Sequence, residues 1–246
     1  MSSQKKLDFD KELIIKSKIG LNNAGESCYM ASIIQILIHL EKFLDALNKN
    51  NTQNNLYKEF FKFLNKIEKK KCSITSYYHI PYNYIEIKQI ANIYHSINHK
   101  FKGTEGNNPM TFFNEFISDL NKNILSLFKG EKKIELIKNE NNTKSIEENK
   151  ENFIFYLVTL DKNNNDLTTY FLKNLNEEKE FENEKEEKIK ESITLFPEIL
   201  VINLELEIKD YKPENKIYLP KNETESNYQE YKLKAINKYS DVHSIA

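Results

Sequence analysis

The order of hydrophobic patterns along the chain is the feature that most limits its fold. Up to about residue 130, apolar residues recur every three or four positions, a spacing typical of helices that bury one face. Beyond that point the apolar residues gather in short runs rich in Ile, Val, Leu, Phe and Tyr, which is typical of strands. Helices therefore come first and strands second, without strand–helix–strand alternation. This order predicts an α+β fold with a mainly antiparallel sheet.

Three helices are well marked in the first half. Residues 28–40 are apolar almost all round, which predicts a buried helix. A second helix is indicated by five apolar residues that share one helical face: Leu56, Phe60, Phe63, Leu64 and Ile67. A third begins at Pro109 with Asn108 as its cap, and its apolar stripe predicts that it continues to about residue 128. A weaker pattern over residues 85–97 is also compatible with a helix.

The second half contains four predicted strands and one predicted helix. The helix follows Asp166, whose side chain can cap its first turn. Residues 179–190 form a mixed-charge run, which we interpret as the solvated face of a helix or of a strand ribbon. The predicted strands cover residues 153–160, 198–206, 216–220 and 228–239.

Composition excludes several classes of protein. The chain has 246 residues, enough for one large domain or two small ones, and its formal charge of −1 argues against nucleic acid as a partner. No apolar stretch is long enough to span a membrane. The two cysteines, Cys28 and Cys72, are too few for a disulfide framework or a four-cysteine zinc site. We therefore expect a protein of the cytoplasm or the nucleus, without a cofactor. Residues 1–19 are predicted to be a flexible leader that lacks the apolar core of a secretory signal.

A glycine-bracketed polar loop leads directly into the first apolar helix, and Cys28 stands where they join. Gly20 and Gly25 are two of only five glycines in the chain, which suggests a backbone that turns tightly or approaches a ligand. At the first turn of a helix the macrodipole favours a thiolate, and the backbone N–H groups can donate to a developing oxyanion. Asn23 can add a side-chain donor. Two readings stay open at this point: a nucleophile, or one more small residue buried in a core helix.

The sequence from Gly20 to Leu37 resembles the cysteine box of the ubiquitin-specific proteases, whose pattern is roughly GLxNxGNTCYMNSxLQxL. The matching positions are Gly20, Leu21, Asn23, Gly25, Cys28, Tyr29, Met30, Ser32, Gln35 and Leu37. The resemblance implies that Cys28 is the catalytic nucleophile and that Asn23 supplies a side-chain donor to the oxyanion hole. It also implies a papain-like cysteine protease fold.

A nucleophilic cysteine needs a base, and the chain offers five histidines: His39, His79, His95, His99 and His243. His39 lies eleven residues after Cys28 on the same predicted helix, about three turns away, and cannot reach the thiol. Three more fall in the helical half, where surface or structural roles are expected. Residues 231–246 resemble the family's histidine box, YxLxAVxxHxGxxxxGHYxA. This resemblance implies that His243 is the catalytic base.

Other stretches follow the family in the same order, so the resemblance covers residues 20–246. It implies a ubiquitin-specific-protease-like catalytic domain, with a helical thumb over about residues 20–130. An antiparallel-sheet palm with reduced fingers is then expected over about residues 131–246. Glu115 and Phe116, for example, occupy the matching places of the family's DAxEFLxxLL helix. The family's paired CxxC motifs are absent, so we expect shortened fingers without a metal ion.

Three departures from the family's pattern bear on activity. Glu26 replaces the usual Asn two residues before the nucleophile, and a carboxylate facing the thiol would disfavour the thiolate. Val242 replaces a glycine in a shortened loop before His243. Only three residues follow His243, whereas the family has a later Asp or Asn that orients the imidazole. We therefore expect either a truncated chain that lacks its C-terminal strands, or an enzyme that works with a Cys–His dyad.

These features lead to three readings of function. The first is a thiol-dependent deubiquitinase that hydrolyses the isopeptide or peptide bond after the C-terminal Gly of ubiquitin or a ubiquitin-like modifier. The second is a catalytically weak or inactive pseudoprotease that still binds ubiquitin or another protein partner. The third is an unrelated α+β domain whose two boxes match by chance. On the first reading the partners are ubiquitin or a ubiquitin-like protein and its conjugates, with no nucleic acid and no membrane, and the protein is a monomer.

Overall fold

The computed structural model describes residues 9–15, 20–22, 27–49, 54–72, 84–101, 108–140, 143–162, 166–181, 184–206, 211–221, 227–236, 238–239 and 244–245. The chain forms two compact units. The first unit combines the residues up to Leu125 with those from Lys234 onward, and the second runs from Ser126 to Leu233. Both ends of the sequence therefore contribute to the first unit.

The first unit is mainly helical. Its helices are α1 (Lys11–Ile15), α2 (Cys28–Leu37), α3 (Glu41–Lys49), α4 (Asn55–Cys72), α5 (Lys88–Ile97) and α6 (Pro109–Leu120), with a short 3-10 helix at His99–Phe101. Two short strands, β1 (Gly20–Asn22) and β2 (Tyr84–Glu86), pair in parallel. The sequence passes into the second unit within α7 (Lys122–Phe128). None of the helices in the described ranges is both long enough and apolar enough to cross a membrane.

Aromatic side chains fill much of the core of the first unit. The five residues predicted to share one face of α4 are all buried, which confirms that prediction. The ring centroid of Phe60 on α4 lies 6.0 Å from that of Phe43 on α3 and 5.7 Å from that of Phe116 on α6. Both pairs meet edge to face, a geometry that contributes about 0.5–1.5 kcal/mol per pair beyond the buried area. These contacts join three helices through one shared ring.

The cap predicted for α6 is present. The Asn108 side chain accepts hydrogen bonds from the backbone N–H groups of Met110 at 2.8 Å and Thr111 at 3.4 Å. Pro109 occupies the first turn, where a backbone N–H has no partner within the helix. An N-cap of this kind stabilises a helix by about 1 kcal/mol. Local sequence alone therefore fixes where α6 begins.

The predicted continuation of this helix to residue 128 is wrong. The helix ends at Leu120, and α7 begins at Lys122. The break lies at Asn121, whose backbone is extended with φ −172° and ψ 139°. Its side chain accepts a hydrogen bond from the backbone N–H of Asn123 at 2.7 Å. Short polar side chains compete in this way with helical hydrogen bonds, and here the competition starts a new helix.

Residues 9–15, part of the predicted flexible leader, are packed against the helices of the first unit. The ring of Phe9 is buried and lies 5.0 Å from that of Phe61 on α4. The ammonium nitrogen of Lys11 lies 2.7 Å from a carboxylate oxygen of Asp45 on α3. Ring burial and an ion pair therefore join this segment to α3 and α4. The rest of the predicted leader lies outside the described residues.

The second unit contains a four-stranded antiparallel sheet. Its strands are β3 (Gly130–Glu140), β4 (Thr143–Phe153), β6 (Glu178–Phe181) and β7 (Glu184–Leu195), in the order β4-β3-β7-β6. The described residues of the mixed-charge run over 179–190 are thus strand residues, one of the two forms expected. Lysine and glutamate side chains pair across its strands, for example Lys138 and Glu187 at 2.8 Å. The sequence does not predict β3 and β4, because their charge-rich composition lacks the apolar alternation of most strands.

The rest of the second unit surrounds a separate apolar core. Strands β5 (Tyr156–Leu160) and β8 (Ile202–Leu206) pair in parallel, β9 (Lys216–Pro220) and β10 (Tyr228–Lys232) pair antiparallel, and α8 (Leu167–Asn174) packs against β9. The core includes four residues without exposed surface: Val158, Leu160, Phe171 and Leu219. The Asp166 side chain caps α8 as predicted, accepting a hydrogen bond from Thr169 N–H at 2.7 Å.

The four predicted strand segments contain β5, β8, β9 and β10, although β10 ends at Lys232, earlier than predicted. The parallel pair β5–β8 is an exception to the predicted antiparallel arrangement. Its two strands are far apart in the sequence, and the direction of such a pairing leaves no local signal.

Candidate active site

Cys28 is the first residue of α2, where the sequence places the start of a helix. Its thiol is free and its side chain is half-buried, whereas the next two residues, Tyr29 and Met30, are buried. Ser27 precedes it at the cap position but makes no side-chain capping hydrogen bond. The first N–H groups of a helix have no acceptor within the helix and carry positive partial charge. A half-buried thiol at this position fits a nucleophile better than a residue of the helix core.

Strand β1 holds the backbone just before the predicted oxyanion-hole segment. Residues 20–22 of β1 pair in parallel with residues 84–86 of β2, and β1 also lies against α2. The main-chain pairing therefore fixes the chain shortly before Cys28. Asn23 and Glu26 themselves lie outside the described residues, so the roles assigned to them stay predictions.

The C-terminal strands return to the helix that begins with Cys28. Strands β11 (Lys238–Tyr239) and β12 (Ser244–Ile245) form an antiparallel pair, and β12 packs against α2. Ser244 directly follows His243 in the sequence. His243 lies outside the described residues, so its role as the base stays a prediction. The fold nevertheless brings a segment more than 200 positions away in the sequence to the Cys28 helix.

The other described histidines occupy separate environments. Nδ1 of His39 lies 2.7 Å from a backbone carbonyl oxygen one turn earlier, just beyond the C-terminal end of α2. His39 is therefore at the opposite end of this helix from Cys28, as expected from the sequence. His95 lies on α5, and His99 is exposed in the 3-10 helix. His79 is outside the described residues.

Glu115 of α6 belongs to a polar group beside the aromatic core. The Asn98 side chain donates to Glu115 Oε2 and to the Tyr94 hydroxyl, each at 3.4 Å. Burial raises the pKa of Tyr94, and the negative charge of Asp119 raises it further. Burial also raises the pKa of the Asp119 carboxyl, with repulsion from Glu115 as the second cause. The described contacts give Glu115 a structural role, because it helps to hold α6 beside α5.

A metal site is not visible in the part of the chain that the structure describes. Within those ranges, no three His, Cys, Asp or Glu side chains lie close enough together to hold a metal ion. The two cysteines of the sequence are also too far apart along the chain to form a CxxC motif. The expectation of shortened fingers without a metal ion stays a prediction.

The residues that hold the first turn of α2 are the part of the site that sequence reasoning misses. Tyr29 is buried between Phe101 of the 3-10 helix and Phe112 of α6. The helical spacing of α6 indicates that its apolar residues are buried, but no sequence signal shows which of them meets Tyr29. That information depends on how the helices are placed in three dimensions.

These two units, with a cysteine at the start of a buried helix in one and a sheet in the other, define the class of protein. The fold is the papain-like α+β fold of cysteine proteases of the ubiquitin-specific protease type, which confirms the predicted fold class. The chain belongs to the ubiquitin carboxyl-terminal hydrolase family, whose sequence model matches residues 19–242. This match confirms the resemblance seen in the sequence. A comparison with curated proteins found none that matches this chain.

Solved structures share the fold at low sequence identity. A chain of the SAGA DUB module Ubp8/Sgf11/Sus1/Sgf73 bound to monoubiquitin, in which Ubp8 carries a cysteine-to-alanine substitution, is similar with a TM-score of 0.68 and 13% identity. That likeness covers 96% of this chain and 62% of the other. A chain of the SAGA Ubp8/Sgf11/Sus1/Sgf73 DUB module bound to ubiquitin aldehyde has a TM-score of 0.57 and 12% identity, over 82% of this chain and 52% of the other. This chain therefore spans less than two thirds of the length of these neighbours.

Proposed function

We propose that this protein is a thiol-dependent deubiquitinase that hydrolyses the isopeptide or peptide bond after the C-terminal glycine of ubiquitin or a ubiquitin-like protein. The observation that carries the proposal is the half-buried Cys28 at the first position of α2, with β12 packed against the same helix. Membership of the ubiquitin carboxyl-terminal hydrolase family supports it. The monoubiquitin and ubiquitin aldehyde bound in the two similar structures support it as well.

In the first half of the proposed mechanism, Cys28 becomes acylated. His243 takes the thiol proton, and the Cys28 sulfur attacks the carbonyl carbon of the scissile bond. The negative charge that develops on the carbonyl oxygen is stabilised by the backbone N–H of Cys28 and the side-chain N–H of Asn23. The tetrahedral intermediate then expels the amine, which receives its proton from His243. A thioester between Cys28 and the modifier remains.

In the second half, water releases the modifier. His243 takes a proton from a water molecule as its oxygen attacks the thioester carbonyl carbon. The same donors stabilise the second oxyanion. Collapse of this intermediate breaks the carbon–sulfur bond, frees the modifier with a C-terminal carboxylate, and returns a proton to Cys28.

The proposal extends to partners and location. Ubiquitin or ubiquitin-like proteins and their conjugates are the proposed substrates, and the protein is proposed to act as a monomer. The presence of two cysteines, with Cys28 as a free thiol, supports a reducing compartment, the cytoplasm or the nucleus.

A pseudoprotease that binds ubiquitin without cleaving its conjugates is the second candidate. Two departures in the sequence favour it: Glu26 lies two residues before Cys28, and Val242 replaces the glycine before His243. A carboxylate close to the thiol disfavours its charged form. This candidate predicts ubiquitin binding with an unreactive Cys28.

The two candidates are separated by ubiquitin that carries a vinyl sulfone at its C-terminus. The reagent is incubated with the parent chain, Cys28→Ala and Cys72→Ala, and adducts are detected by intact mass. We expect one ubiquitin adduct on the parent and on Cys72→Ala, and none on Cys28→Ala. Cys72 is the matched control, because it is a cysteine of the same unit and the last residue of another helix, α4.

Each alternative outcome has a definite meaning. An adduct on Cys28→Ala would show that Cys28 is not the nucleophile. Ubiquitin binding without an adduct, from a folded parent chain, would replace the enzyme proposal by the pseudoprotease. If the parent chain neither binds ubiquitin nor is labelled, both candidates are excluded.

A further inference from the structure

We propose that Tyr29 is a positioning residue for Cys28, held by Phe101 and Phe112 so that the first turn of α2 keeps one fixed orientation. We call these three residues the aromatic clamp. The proposal rests on the proposed function, because it concerns the nucleophile of that reaction. It goes beyond that function, because it names what sets the placement of Cys28.

The three rings of the aromatic clamp contact one another in every pairing. Tyr29 stacks on Phe101 with ring centroids 6.0 Å apart and meets Phe112 edge to face at 5.5 Å. Phe101 and Phe112 meet edge to face at 5.8 Å. The three residues come from α2, the 3-10 helix and α6, and all are buried, with Tyr29 only 2% exposed. Three mutual contacts from three elements leave little freedom for the Tyr29 ring to shift or rotate.

A fourth ring, that of Tyr94, packs against both phenylalanines of the clamp. Tyr94 on α5 lies 5.5 Å from Phe101 and 5.3 Å from Phe112, measured between ring centroids. Its hydroxyl accepts a hydrogen bond from the Asn98 side chain. Neither phenylalanine can therefore turn away from Tyr29 without disturbing the packing of α5.

The first turn of α2 is joined to this packing through Tyr29, the second residue of the helix. The Cys28 side chain itself is half-buried. Its neighbour Tyr29 is thus the first residue of the helix to enter the core. A misplacement of about 1 Å in a reacting group can cost about 100-fold in rate, so the ring that fixes this turn also fixes reactivity.

The test compares substitutions inside the clamp with one outside it. Phe101→Leu and Tyr29→Leu remove clamp rings, and Tyr29→Phe retains the ring. Phe63→Leu is the matched control, because Phe63 is a buried phenylalanine of the same unit whose described ring contact is with Phe60. Each full-length variant is measured for its melting temperature and for its rate of labelling by ubiquitin vinyl sulfone. Affinity for unmodified ubiquitin is measured with each change combined with Cys28→Ala.

We expect Phe101→Leu and Tyr29→Leu to lower the labelling rate of the folded protein by about tenfold or more, with affinity for ubiquitin changed by less than about twofold. Tyr29→Phe should recover most of the rate. Phe63→Leu should lower the melting temperature by a similar amount to Phe101→Leu but label at nearly the parent rate. Equal loss of rate in Phe63→Leu and Phe101→Leu would overturn the proposal, because the clamp would then stabilise the fold without positioning Cys28.

Failure of the proposed function is recognised separately. If the folded parent is not labelled by ubiquitin vinyl sulfone, the proposed deubiquitinase activity is excluded. The clamp is then tested with iodoacetamide. Under that condition the alkylation rate of Cys28 should differ by about threefold or more between Phe101→Leu and Phe63→Leu, while that of Cys72 stays the same in both. Equal Cys28 rates in the two variants would overturn the clamp.

Discussion

Two tyrosine hydroxyls, those of the buried Tyr57 and the half-buried Tyr231, donate hydrogen bonds to backbone carbonyl groups. The Tyr57 hydroxyl donates to the carbonyl oxygen of Leu47 in the last turn of α3, and the Tyr231 hydroxyl donates to that of Pro197 at 2.6 Å. Burial raises the pKa of Tyr57 to about 12 and also raises the pKa of Tyr231, because a phenolate loses solvation inside the protein. At neutral pH both side chains are therefore neutral donors that satisfy carbonyl groups.

Tyr57 leads to a prediction about stability at alkaline pH. Its pKa in the folded protein is about 12, above the ordinary value of 10.0, so the folded state keeps a proton that the unfolded chain releases. The stabilisation is complete below pH 10 and is lost as the pH rises toward 12. Urea unfolding should show the free energy of unfolding falling across this window. The fall should be smaller in Tyr57→Phe, which is also less stable at neutral pH by about 1 kcal/mol because the Leu47 carbonyl loses its donor.

Phe61→Leu is the control for this pH profile. Phe61 contacts Tyr57 with ring centroids 5.1 Å apart, and its substitution removes packing without removing a titrating group. It should lower the free energy of unfolding at every pH without changing the slope. A parent profile that stays flat up to pH 12 would contradict the buried, neutral Tyr57.

Among the secondary structure elements, the hairpin β3–β4 joins a charged ribbon to the apolar core of the second unit. Gly130 opens β3 and pairs with Phe153, the last residue of β4. A Cβ atom at position 130 would overlap the Phe153 ring. That ring meets Tyr156 edge to face at 5.6 Å, and Tyr156 belongs to the core of the second unit. Glycine at 130 therefore lets Phe153 lie across the start of β3.

Gly130→Ala should destabilise the protein by about 1–3 kcal/mol, because the added methyl group forces the Phe153 ring out of its packed position. The free energy of unfolding in urea measures this cost. In a Phe153→Leu background the cost should be smaller, because the smaller side chain leaves room for the methyl group. A cost of Gly130→Ala that is unchanged in that background would contradict the clash.

The elements that the sequence predicts are those with a local signal. Asn108 and Asp166 mark helix starts by capping chemistry, and both caps form. The break at Asn121 is also local, but an asparagine within an apolar helical pattern does not by itself indicate a stop. Strands β3 and β4 could not be predicted from apolar periodicity, because lysine–glutamate pairs take the place of apolar alternation. The parallel pairing of β5 and β8 is a property of the tertiary fold.

The candidate site also has parts that the local sequence indicates and parts that only the tertiary fold shows. The position of Cys28 at a helix start follows from the local sequence and is confirmed. The contacts of Tyr29 with Phe101 and Phe112 join three elements and could not be read from spacing. Asn23 and His243 lie outside the described residues, so their catalytic roles stay predictions.

For the molecule as a whole, a late segment of the sequence packs into the helical unit. β12 packs against α2, although its residues follow Cys28 by more than 200 positions. This return of the chain supports the proposal that Cys28 and His243 act together on a ubiquitin conjugate. Both residues must then contribute to one reaction, beyond any effect on folding.

The most direct measurement is the hydrolysis rate of ubiquitin linked at its C-terminus to a fluorogenic amine, by the parent, His243→Gln and His39→Gln. His39 is the matched control, because it lies at the other end of the Cys28 helix. We expect His39→Gln to hydrolyse the substrate at nearly the parent rate, and His243→Gln to be slower by about 100-fold to 10,000-fold while remaining folded. A His243→Gln variant that keeps the parent rate would contradict the role of His243, because another group would then have to serve as the base.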